Sequence, residues 1–97
     1  MGNLRFEWDP GKDGANRRKH GVGFEEATSV FLDEDALLID DPDHSDEEDR
    51  FVLLGLSRLR LLVVCHCYRL GGDVIRIISA RKADRSERKL YAQRRRK

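Results

Sequence analysis

Polar and aromatic residues alternate at the start of the chain. Arg5 to Trp8 have the period of two that is typical of a short, half-buried strand. Asp9 is a good N-cap and Pro10 suits the first helical position, so a charged helix is predicted to begin there. We expect it to run to about His20, because Gly21 can adopt the left-handed conformation that ends a helix.

Apolar residues recur at helical spacing over residues 24–31, with acidic residues on the opposite side. This pattern predicts a second, short amphipathic helix. A strand is predicted over Ala36 to Ile39. The segment from Asp40 to Asp49 is so polar and acidic that we expect an exposed connection.

Three apolar runs follow closely in the second half of the chain. They cover Phe51 to Leu56, Arg60 to Tyr68 and Val74 to Ala80. The connections between them, Ser57 to Leu59 and Leu70 to Asp73, are short enough to be hairpin turns. The three runs are therefore predicted to form an antiparallel meander.

The last element is predicted to be a helix. Asp84 can cap it, and Glu87 stands three residues later in the capping-box position. The predicted order is β-α-α-β-β-β-β-α, an α+β design in which helices pack on a single, mostly antiparallel sheet. We expect residues 1–97 to form one domain, because a chain of this length supports one modest core.

Composition argues against several classes of protein. With 39% hydrophobic and 38% charged residues, the chain is typical of neither membrane nor disordered proteins. The longest apolar run, Leu61 to Cys65, is far shorter than the roughly 20 residues that a membrane helix needs. The N-terminal residues show no apolar secretory segment, so a cytoplasmic location without membrane contact is expected.

The net charge of +1 conceals two opposite halves. Residues 1–49 hold 5 basic and 15 acidic side chains, a net charge of −10, whereas residues 50–97 hold 14 basic and 3 acidic ones, a net charge of +11. A basic half of this kind attracts the phosphates of nucleic acid. Surface ion pairs with the acidic half would use the same arginines, so charge alone does not indicate an enzyme.

His66 is the most informative residue. It lies in the middle of the second meander strand, where alternation places it on the same face as Tyr68. A hydrogen-bonded core or edge histidine is the ordinary interpretation of such a position. Three arginines in the same part of the chain favour a functional one: Arg69, Arg76 and Arg81.

The register of the last hairpin decides which arginine lies beside His66, and the sequence leaves two possibilities open. In one register Arg69 pairs with Asp73, and His66 then faces Arg76. In the other, shifted by one residue, Arg81 shares the face of His66 about 13 Å along the strand. Either register is expected to bring one arginine onto the histidine's face.

Other candidate residues have simpler explanations. His20, at the predicted end of a helix, is expected to interact favourably with the helix dipole. Cys65 and Cys67 lie in an apolar strand with no second pair of ligands, so packing explains them better than a metal does. Trp8 and Tyr91 could stack on bases, but core packing is the better explanation.

A histidine with convergent arginines suits RNA cleavage. Histidine moves a proton near neutral pH, and guanidinium groups bind phosphate oxygens and offset the charge that develops in the transition state. The ribose 2′-hydroxyl would attack the adjacent phosphorus, with His66 as general base or acid and without metal or cofactor. The predicted catalytic residues are His66, Arg69, Arg76 and Arg81, and the predicted substrate-binding residues are Tyr68 and Lys82.

Two other functions stay open. The basic half could dock nucleic acid or an acidic partner without catalysis, with its arginines as a recognition patch. Such a binder would shift RNA on a gel without shortening it. A purely structural partner subunit would do neither.

Several blocks of the sequence closely resemble the BrnT family. They are Phe6-Glu7-Trp8-Asp9-Pro10, Asn16-x-x-Lys19-His20-Gly21-Val22-x-Phe24-Glu25-Glu26-Ala27, and Val74-Ile75-Arg76-Ile77-Ile78-Ser79-Ala80-Arg81-Lys82-Ala83 followed by Glu87-Arg88-x-x-Tyr91. Together they span nearly the whole chain, so the expected single domain is BrnT-like.

The resemblance implies a bacterial type II toxin with a RelE-like fold, an endoribonuclease that inhibits translation by cutting RNA. It also implies a cognate BrnA-type antitoxin, which neutralises the toxin in a higher-order complex that binds operator DNA through the antitoxin and represses its own operon. By motif position, His66 and Arg69 match the family's H-x-x-R element, and Arg76 and Arg81 match its RIISAR element.

Overall fold

The computed structural model describes residues 4–40 and 50–95, and these residues contain five strands and three helices. The strands are β1 (Arg5–Glu7), β2 (Leu37–Ile39), β3 (Phe51–Leu56), β4 (Leu61–Arg69) and β5 (Val74–Lys82). The helices are α1 (Pro10–His20), α2 (Phe24–Thr28) and α3 (Arg85–Arg95). The predicted α+β class is confirmed. Of the predicted acidic connection, only Asp40 is among the described residues.

Local chemistry accounts for both ends of α1 and for the start of α3. The Asp9 side chain accepts a hydrogen bond from the Gly11 N–H, and Gly21 takes the predicted left-handed conformation with φ 71°. At α3, Asp84 Oδ1 accepts from the Glu87 N–H and Glu87 Oε1 accepts from the Asp84 N–H, both at 2.8 Å. This reciprocal pair is the predicted capping box.

Helix α2 is shorter than the predicted helix over residues 24–31. It ends at Thr28, and a 3-10 turn covers Ser29–Leu32. The hydroxyls of Thr28 and Ser29 donate to the carbonyl oxygens of Glu25 and Glu26, each at 2.7 Å. Such side-chain bonds to the backbone weaken a helix, which explains the early end.

The sheet has the strand order β1-β5-β4-β3-β2. Strand β1 runs parallel to β5, while the other neighbouring strands are antiparallel, so the predicted meander of β3, β4 and β5 is confirmed. None of the three helices in the described part of the chain is long and apolar enough to cross a membrane.

Each face of the sheet carries its own apolar cluster. On the face that we call the α2 face, Leu62, Val64, Ile75, Ile77 and Ala80 pack against residues of α2 and its flanks, including Val22, Phe24, Ala27 and Val30. On the opposite face, called the α3 face, the cluster contains Val52, Leu54, Val63, Cys65, Ala83 and Tyr91. Alternation along the strands therefore decides which environment each side chain enters.

The pairing of β4 with β5 has Arg69 opposite Val74, which is the second of the two registers left open by the sequence. Arg76 consequently lies opposite Cys67 and does not face His66. Because the two neighbours of Arg76 along β5 belong to the α2-face cluster, the Arg76 side chain lies on the α3 face.

The same strand pair contains an irregularity that the sequence does not reveal. His66 lies opposite Ile77, but Cys65 lies opposite Ser79, which leaves Ile78 as an extra residue in β5. An extra residue of this kind is a β-bulge, and beyond it the side chains of the strand point to the opposite faces from those expected.

The bulge decides the position of Arg81. Arg81 lies opposite Val63, whose side chain belongs to the α3-face cluster, whereas His66 lies on the α2 face. The expectation that one arginine would share the histidine's face is therefore wrong. It assumed an uninterrupted strand register, which does not allow for the extra residue.

Helix α3 is tied to the rest of the molecule by Tyr91 and Asp33. The Tyr91 hydroxyl donates to Asp33 Oδ2 at 2.6 Å, and the same oxygen accepts the Leu56 N–H at 2.8 Å. Burial and the Asp33 carboxylate raise the pKa of Tyr91 to about 12. Tyr91 is thus a core residue, as the sequence indicates.

Candidate active site

His66 lies in a buried aromatic environment on the α2 face. None of its surface is exposed, and its ring centroid is 4.8 Å from that of Phe31, 5.3 Å from that of Tyr68 and 6.1 Å from that of Phe51. Tyr68 is 44% exposed and lies between this environment and the solvent. The histidine therefore fits the ordinary interpretation of a packed, hydrogen-bonded core residue.

The hydrogen bonds of His66 define its tautomer. Nδ1 lies 3.2 Å from the carbonyl oxygen of Val64, and Nε2 lies 3.3 Å from the Tyr68 hydroxyl. Since a carbonyl oxygen only accepts, Nδ1 carries the proton and Nε2 accepts from Tyr68. Burial lowers the pKa of His66, partly opposed by the bond to Val64, so the ring is neutral near pH 7.

Arg69 and Arg76 meet at Glu7 on the α3 face. Glu7 Oε2 lies 2.8 Å from Arg76 Nη1 and 3.1 Å from Arg69 Nε. Strand β1 brings the carboxylate there, because Glu7 pairs directly with Arg76 across the parallel strands. All three side chains are partly exposed, so the two guanidinium groups form a small cationic surface around one carboxylate.

Arg81 forms a separate site with Glu87, the first-turn glutamate of α3. Its Nη1 and Nη2 donate to Oε1 and Oε2 of Glu87, both at 2.8 Å. These hydrogen bonds lower the pKa of Glu87 and keep its carboxylate ionised. The paired arginine is nevertheless 43% exposed, so its guanidinium is fixed in orientation while remaining accessible.

The predicted site residues thus separate into two groups. Lys82 lies opposite Leu62 of the α2-face cluster, and it is exposed on that side. The α2 face carries His66, Tyr68 and Lys82, and the α3 face carries Arg69, Arg76 and Arg81. The structure brings His66 to Tyr68 and Arg69 to Arg76, but it does not bring the histidine to the arginines.

A cavity of about 550 Å³ opens on the α3 face beside Arg81. Apolar side chains of β3 and β4, including Val63 and Cys65, contribute to its lining. Its polar lining consists of the basic Lys19, His20, Arg50 and Arg81, the acidic Asp40, Asp84 and Glu87, and the hydroxyls of Ser79 and Ser86. The cavity therefore has four basic and three acidic side chains between the end of α1 and the start of α3. Two of the acidic ones, Asp84 and Glu87, form the capping box of α3, so the basic groups can accept a phosphate group with an attached nucleoside.

Asn16 fixes α1 against β5 next to this cavity. Its amide nitrogen donates to the carbonyl oxygens of Ala80 and Val22, both at 2.8 Å, and its amide oxygen accepts the Ala80 N–H at 3.2 Å. Strand β1 pairs with β5 only as far as Arg76, so the Asn16 side chain takes the place of a neighbouring strand at Ala80.

Arg60 and Glu26 hold the other side of the α1 terminus. Arg60 donates to both oxygens of Glu26, at 3.1 and 2.9 Å, and to the carbonyl oxygen of Gly21 at 2.7 Å. The hydrogen bond from Arg60 lowers the pKa of the buried Glu26 despite its burial. The segment that follows His20 is therefore anchored at two consecutive carbonyl groups, those of Gly21 and Val22.

Four residues that lie at the cavity or beside Arg69 and Arg76 were not predicted to be site residues. In the sequence, Glu7 is one position of a predicted strand. Lys19 and His20 form the basic end of a predicted helix, and Arg50 begins the basic half. The signal for Lys19 and His20 was their place inside the block that resembles BrnT, beside residues with structural roles such as Asn16. Only the fold shows that these four lie next to the predicted arginines.

The remaining candidates have structural roles. Trp8 packs against the α2-face cluster with its ring centroid 6.3 Å from that of Phe24. Cys65 and Cys67 are free thiols, the first buried and the second half-buried. Within residues 4–40 and 50–95, no group of three or more histidine, cysteine or acidic side chains is arranged to hold a metal ion.

Comparison with known families gives one finding. The model of the family described as "Ribonuclease toxin, BrnT, of type II toxin-antitoxin system" matches residues 8–87 of the 97-residue chain. The match includes all of α1, only the first three residues of α3, and all six predicted site residues. No curated protein matches the chain.

Proposed function

Because the chain belongs to the BrnT family of ribonuclease toxins of type II toxin–antitoxin systems, we propose that it cuts RNA endonucleolytically without a metal ion and thereby inhibits translation. A toxin of this kind has RNA as its substrate and an antitoxin protein as its partner. The cavity on the α3 face supports the proposal, because it is concave and open and because its lining has four basic side chains against three acidic ones.

The proposed reaction is attack of the ribose 2′-hydroxyl on the adjacent phosphorus. Arg81 would bind the scissile phosphate, since Glu87 holds its guanidinium in one orientation at the cavity. Arg69 and Arg76 would bind a neighbouring phosphate, with Glu7 keeping their groups side by side. Guanidinium groups offset the charge of the transition state, so no metal ion is needed for that step.

His66 remains the predicted proton-transfer residue from the sequence, and Tyr68 and Lys82 remain predicted substrate contacts. The environment of His66 limits the way in which it could act. Its Nε2 accepts from the Tyr68 hydroxyl, and Tyr68 alone of the pair is exposed. A proton could pass between His66 and bound RNA only through Tyr68, unless the chain changes conformation.

We also propose that a BrnA-type antitoxin neutralises this protein by covering the α3 face. Charge supports the choice of surface, because Arg69, Arg76 and Arg81 all lie there. The toxin and antitoxin would form a higher-order complex that binds operator DNA through the antitoxin. In the complex, cleavage should be abolished and these arginines protected from solvent.

Cleavage of a labelled single-stranded RNA in EDTA tests the proposed function. The wild-type protein should produce new RNA ends, and Arg81→Gln should cut at least about 100-fold more slowly because a transition-state charge contact is lost. Arg58→Gln, an equal charge change on the exposed β3–β4 turn, is the control and should cut normally. RNA that is retarded on a gel by the wild type but never shortened would show a binding module and contradict the proposal.

A further inference from the structure

Proton transfer in the proposed reaction requires a titratable group beside the phosphate that Arg81 binds. His66 lies on the other face of the sheet, so it does not meet this requirement directly. The cavity itself contains a second histidine, His20, which is only partly buried. Histidine is the side chain that most often gives or takes a proton in enzyme reactions, and His20 is the histidine that lines this cavity.

The lining contains three acidic side chains, Asp40, Asp84 and Glu87, and the last two are engaged with other groups. Glu87 accepts two hydrogen bonds from Arg81, and Asp84 accepts the Glu87 N–H and the Ser86 hydroxyl. These bonds lower the pKa of both carboxylates, so neither carries a proton to donate near pH 7. Both contribute instead to orienting Arg81 and to starting α3.

The backbone that follows His20 is fixed by hydrogen bonds. The Gly21 N–H donates to the Arg17 carbonyl at 2.9 Å, and the Gly21 carbonyl accepts from Arg60 at 2.7 Å. The next carbonyl, that of Val22, accepts from the buried Asn16 amide. The backbone from which the His20 side chain projects is therefore held in place at the cavity, as the support of a catalytic group must be.

The same asparagine brings His20 to Arg81. Asn16 binds both backbone polar groups of Ala80, the residue before Arg81. His20 lies four residues after Asn16, and therefore one helical turn along the same side of α1. This side of α1 ends at the cavity, and the side chains of His20 and Arg81 both line it.

We propose that His20 is a catalytic residue, the general acid that protonates the leaving 5′-oxygen of RNA while Arg81 holds the scissile phosphate. This inference rests on the proposed ribonuclease function. The 2′-hydroxyl loses its proton to water as its oxygen bonds to phosphorus, and the bond from phosphorus to the 5′-oxygen breaks. The imidazolium of His20 gives its proton to that oxygen and regains one from water, so the products are a 2′,3′-cyclic phosphate and a 5′-hydroxyl.

The test compares two short RNAs that differ at the leaving atom. One is ordinary RNA, and in the other a sulfur replaces the bridging 5′-oxygen at the cleavage site, so that the leaving group departs as a thiolate without protonation. On ordinary RNA, His20→Asn should lower the single-turnover rate about 100-fold or more while changing RNA affinity little. On the sulfur-substituted RNA, wild type and variant should cut at nearly equal rates.

Matched controls identify other causes of a lost rate. Lys12→Gln, at an exposed position two turns earlier on α1, should leave both rates unchanged. His20→Lys keeps a cation at the cavity. If His20 acts as the general acid and not through its charge alone, the activity of this variant on ordinary RNA should still be as low as that of His20→Asn. Far-ultraviolet circular dichroism checks that each variant is folded. If His20→Asn does not fold, His20→Gln replaces it.

The outcomes separate the inference from the proposed function. If the wild type cuts and the histidine variants cut ordinary RNA equally fast, His20 is not catalytic. A loss that sulfur does not restore, or that lysine does restore, makes His20 a phosphate-binding or structural residue and also overturns the inference. If the wild type cuts neither RNA, the ribonuclease proposal itself fails.

Discussion

His66 on the α2 face and His20 at the cavity of the α3 face are in opposite environments. The ring of His66 is fully buried among Phe31, Phe51 and Tyr68, and its two nitrogens are both hydrogen-bonded. His20 is partly exposed at the end of a helix, in a lining that also contains Arg81. Burial and access, rather than residue type, therefore indicate which histidine can reach RNA.

The two faces differ in the same way as their histidines. Aromatic rings and aliphatic side chains fill the α2 face around His66, which stabilises the fold but leaves little room for a ligand. On the α3 face, α3 and β5 border an open cavity with basic groups. One sheet thus has a face that packed side chains fill and a face that keeps an open cavity beside its own apolar cluster.

The largest expected effect on stability is that of His66→Ala. The substitution removes a fully buried ring and its bond to the Val64 carbonyl, so the free energy of unfolding should fall by about 3 kcal/mol. His20→Ala, at a partly exposed position, should change it by less than about 0.5 kcal/mol. Urea unfolding measures both, and equal losses for the two histidines would remove the contrast between the faces.

Asn16→Ala should have the next largest effect, because Asn16 joins α1 to the edge of β5. Three hydrogen bonds are lost and the buried backbone groups of Ala80 lose their partner, so we expect a loss of about 2 kcal/mol. Asn16→Asp keeps the size and one acceptor but lacks both donors, and it should be no more stable than the alanine variant. An unchanged unfolding midpoint for either would mean that other contacts place His20.

Glu26→Gln should reduce stability by about 1.5 kcal/mol at pH 7, since it weakens the pair with Arg60. Arg60 lowers the pKa of Glu26 below its ordinary 4.5, so the folded state favours the ionised carboxylate. Its contribution is present above pH 4.5 and is lost as the pH falls through the lowered value. Unfolding curves from pH 7 to pH 3 should therefore show a smaller loss for the variant than for the wild type.

Tyr91→Phe should cost about 1 kcal/mol, because the hydrogen bond that ties α3 to Asp33 is removed. The pKa of Tyr91 rises from 10.0 to about 12, so folding favours the protonated hydroxyl. That contribution is complete below pH 10 and disappears as the pH rises towards 12. Thermal unfolding between pH 7 and pH 11 should show the difference in stability between wild type and Tyr91→Phe becoming smaller. A difference that stays constant would contradict the stabilising role of the protonated hydroxyl.

The smallest expected effect concerns RNA affinity at the cluster of Glu7, Arg69 and Arg76 on the α3 face. Arg76→Gln should weaken binding about threefold and make the salt dependence shallower by about one unit in the log–log slope, since one phosphate contact is lost. Arg58→Gln changes the charge equally away from the cluster and should keep the wild-type slope. Fluorescence anisotropy over a range of salt concentrations measures both, and identical slopes for wild type and Arg76→Gln would exclude Arg76 from the RNA-binding surface.

Much of the fold could be predicted because its signals are local. Asp9, Pro10 and Gly21 define the bounds of α1, and the pair Asp84 and Glu87 defines the start of α3. Each signal depends on residues within one turn of the chain. The end of α2 was predicted too late, because the competing hydroxyl bonds of Thr28 and Ser29 are weak local signals.

The candidate site was less predictable, because its geometry depends on pairing between distant segments. One extra residue, Ile78, turns Arg81 away from the face of His66. Periodicity assumes an uninterrupted strand, so no count along the sequence could reveal that reversal. Glu7 reaches Arg76 only because a strand from the N-terminus adds in parallel to the far edge of the sheet.

By itself, the sequence determined the α+β class, the meander, the helix caps and the resemblance to the BrnT family, because short-range chemistry and motif order carry that information. Only the tertiary structure decided that His66 is buried, that the arginines lie on the other face and that His20 lies at a cavity beside Arg81. The physical reason is that strand register, bulges and burial arise from contacts between residues far apart in the chain. The basic half supplies the charge, and the fold selects which of its arginines can act together.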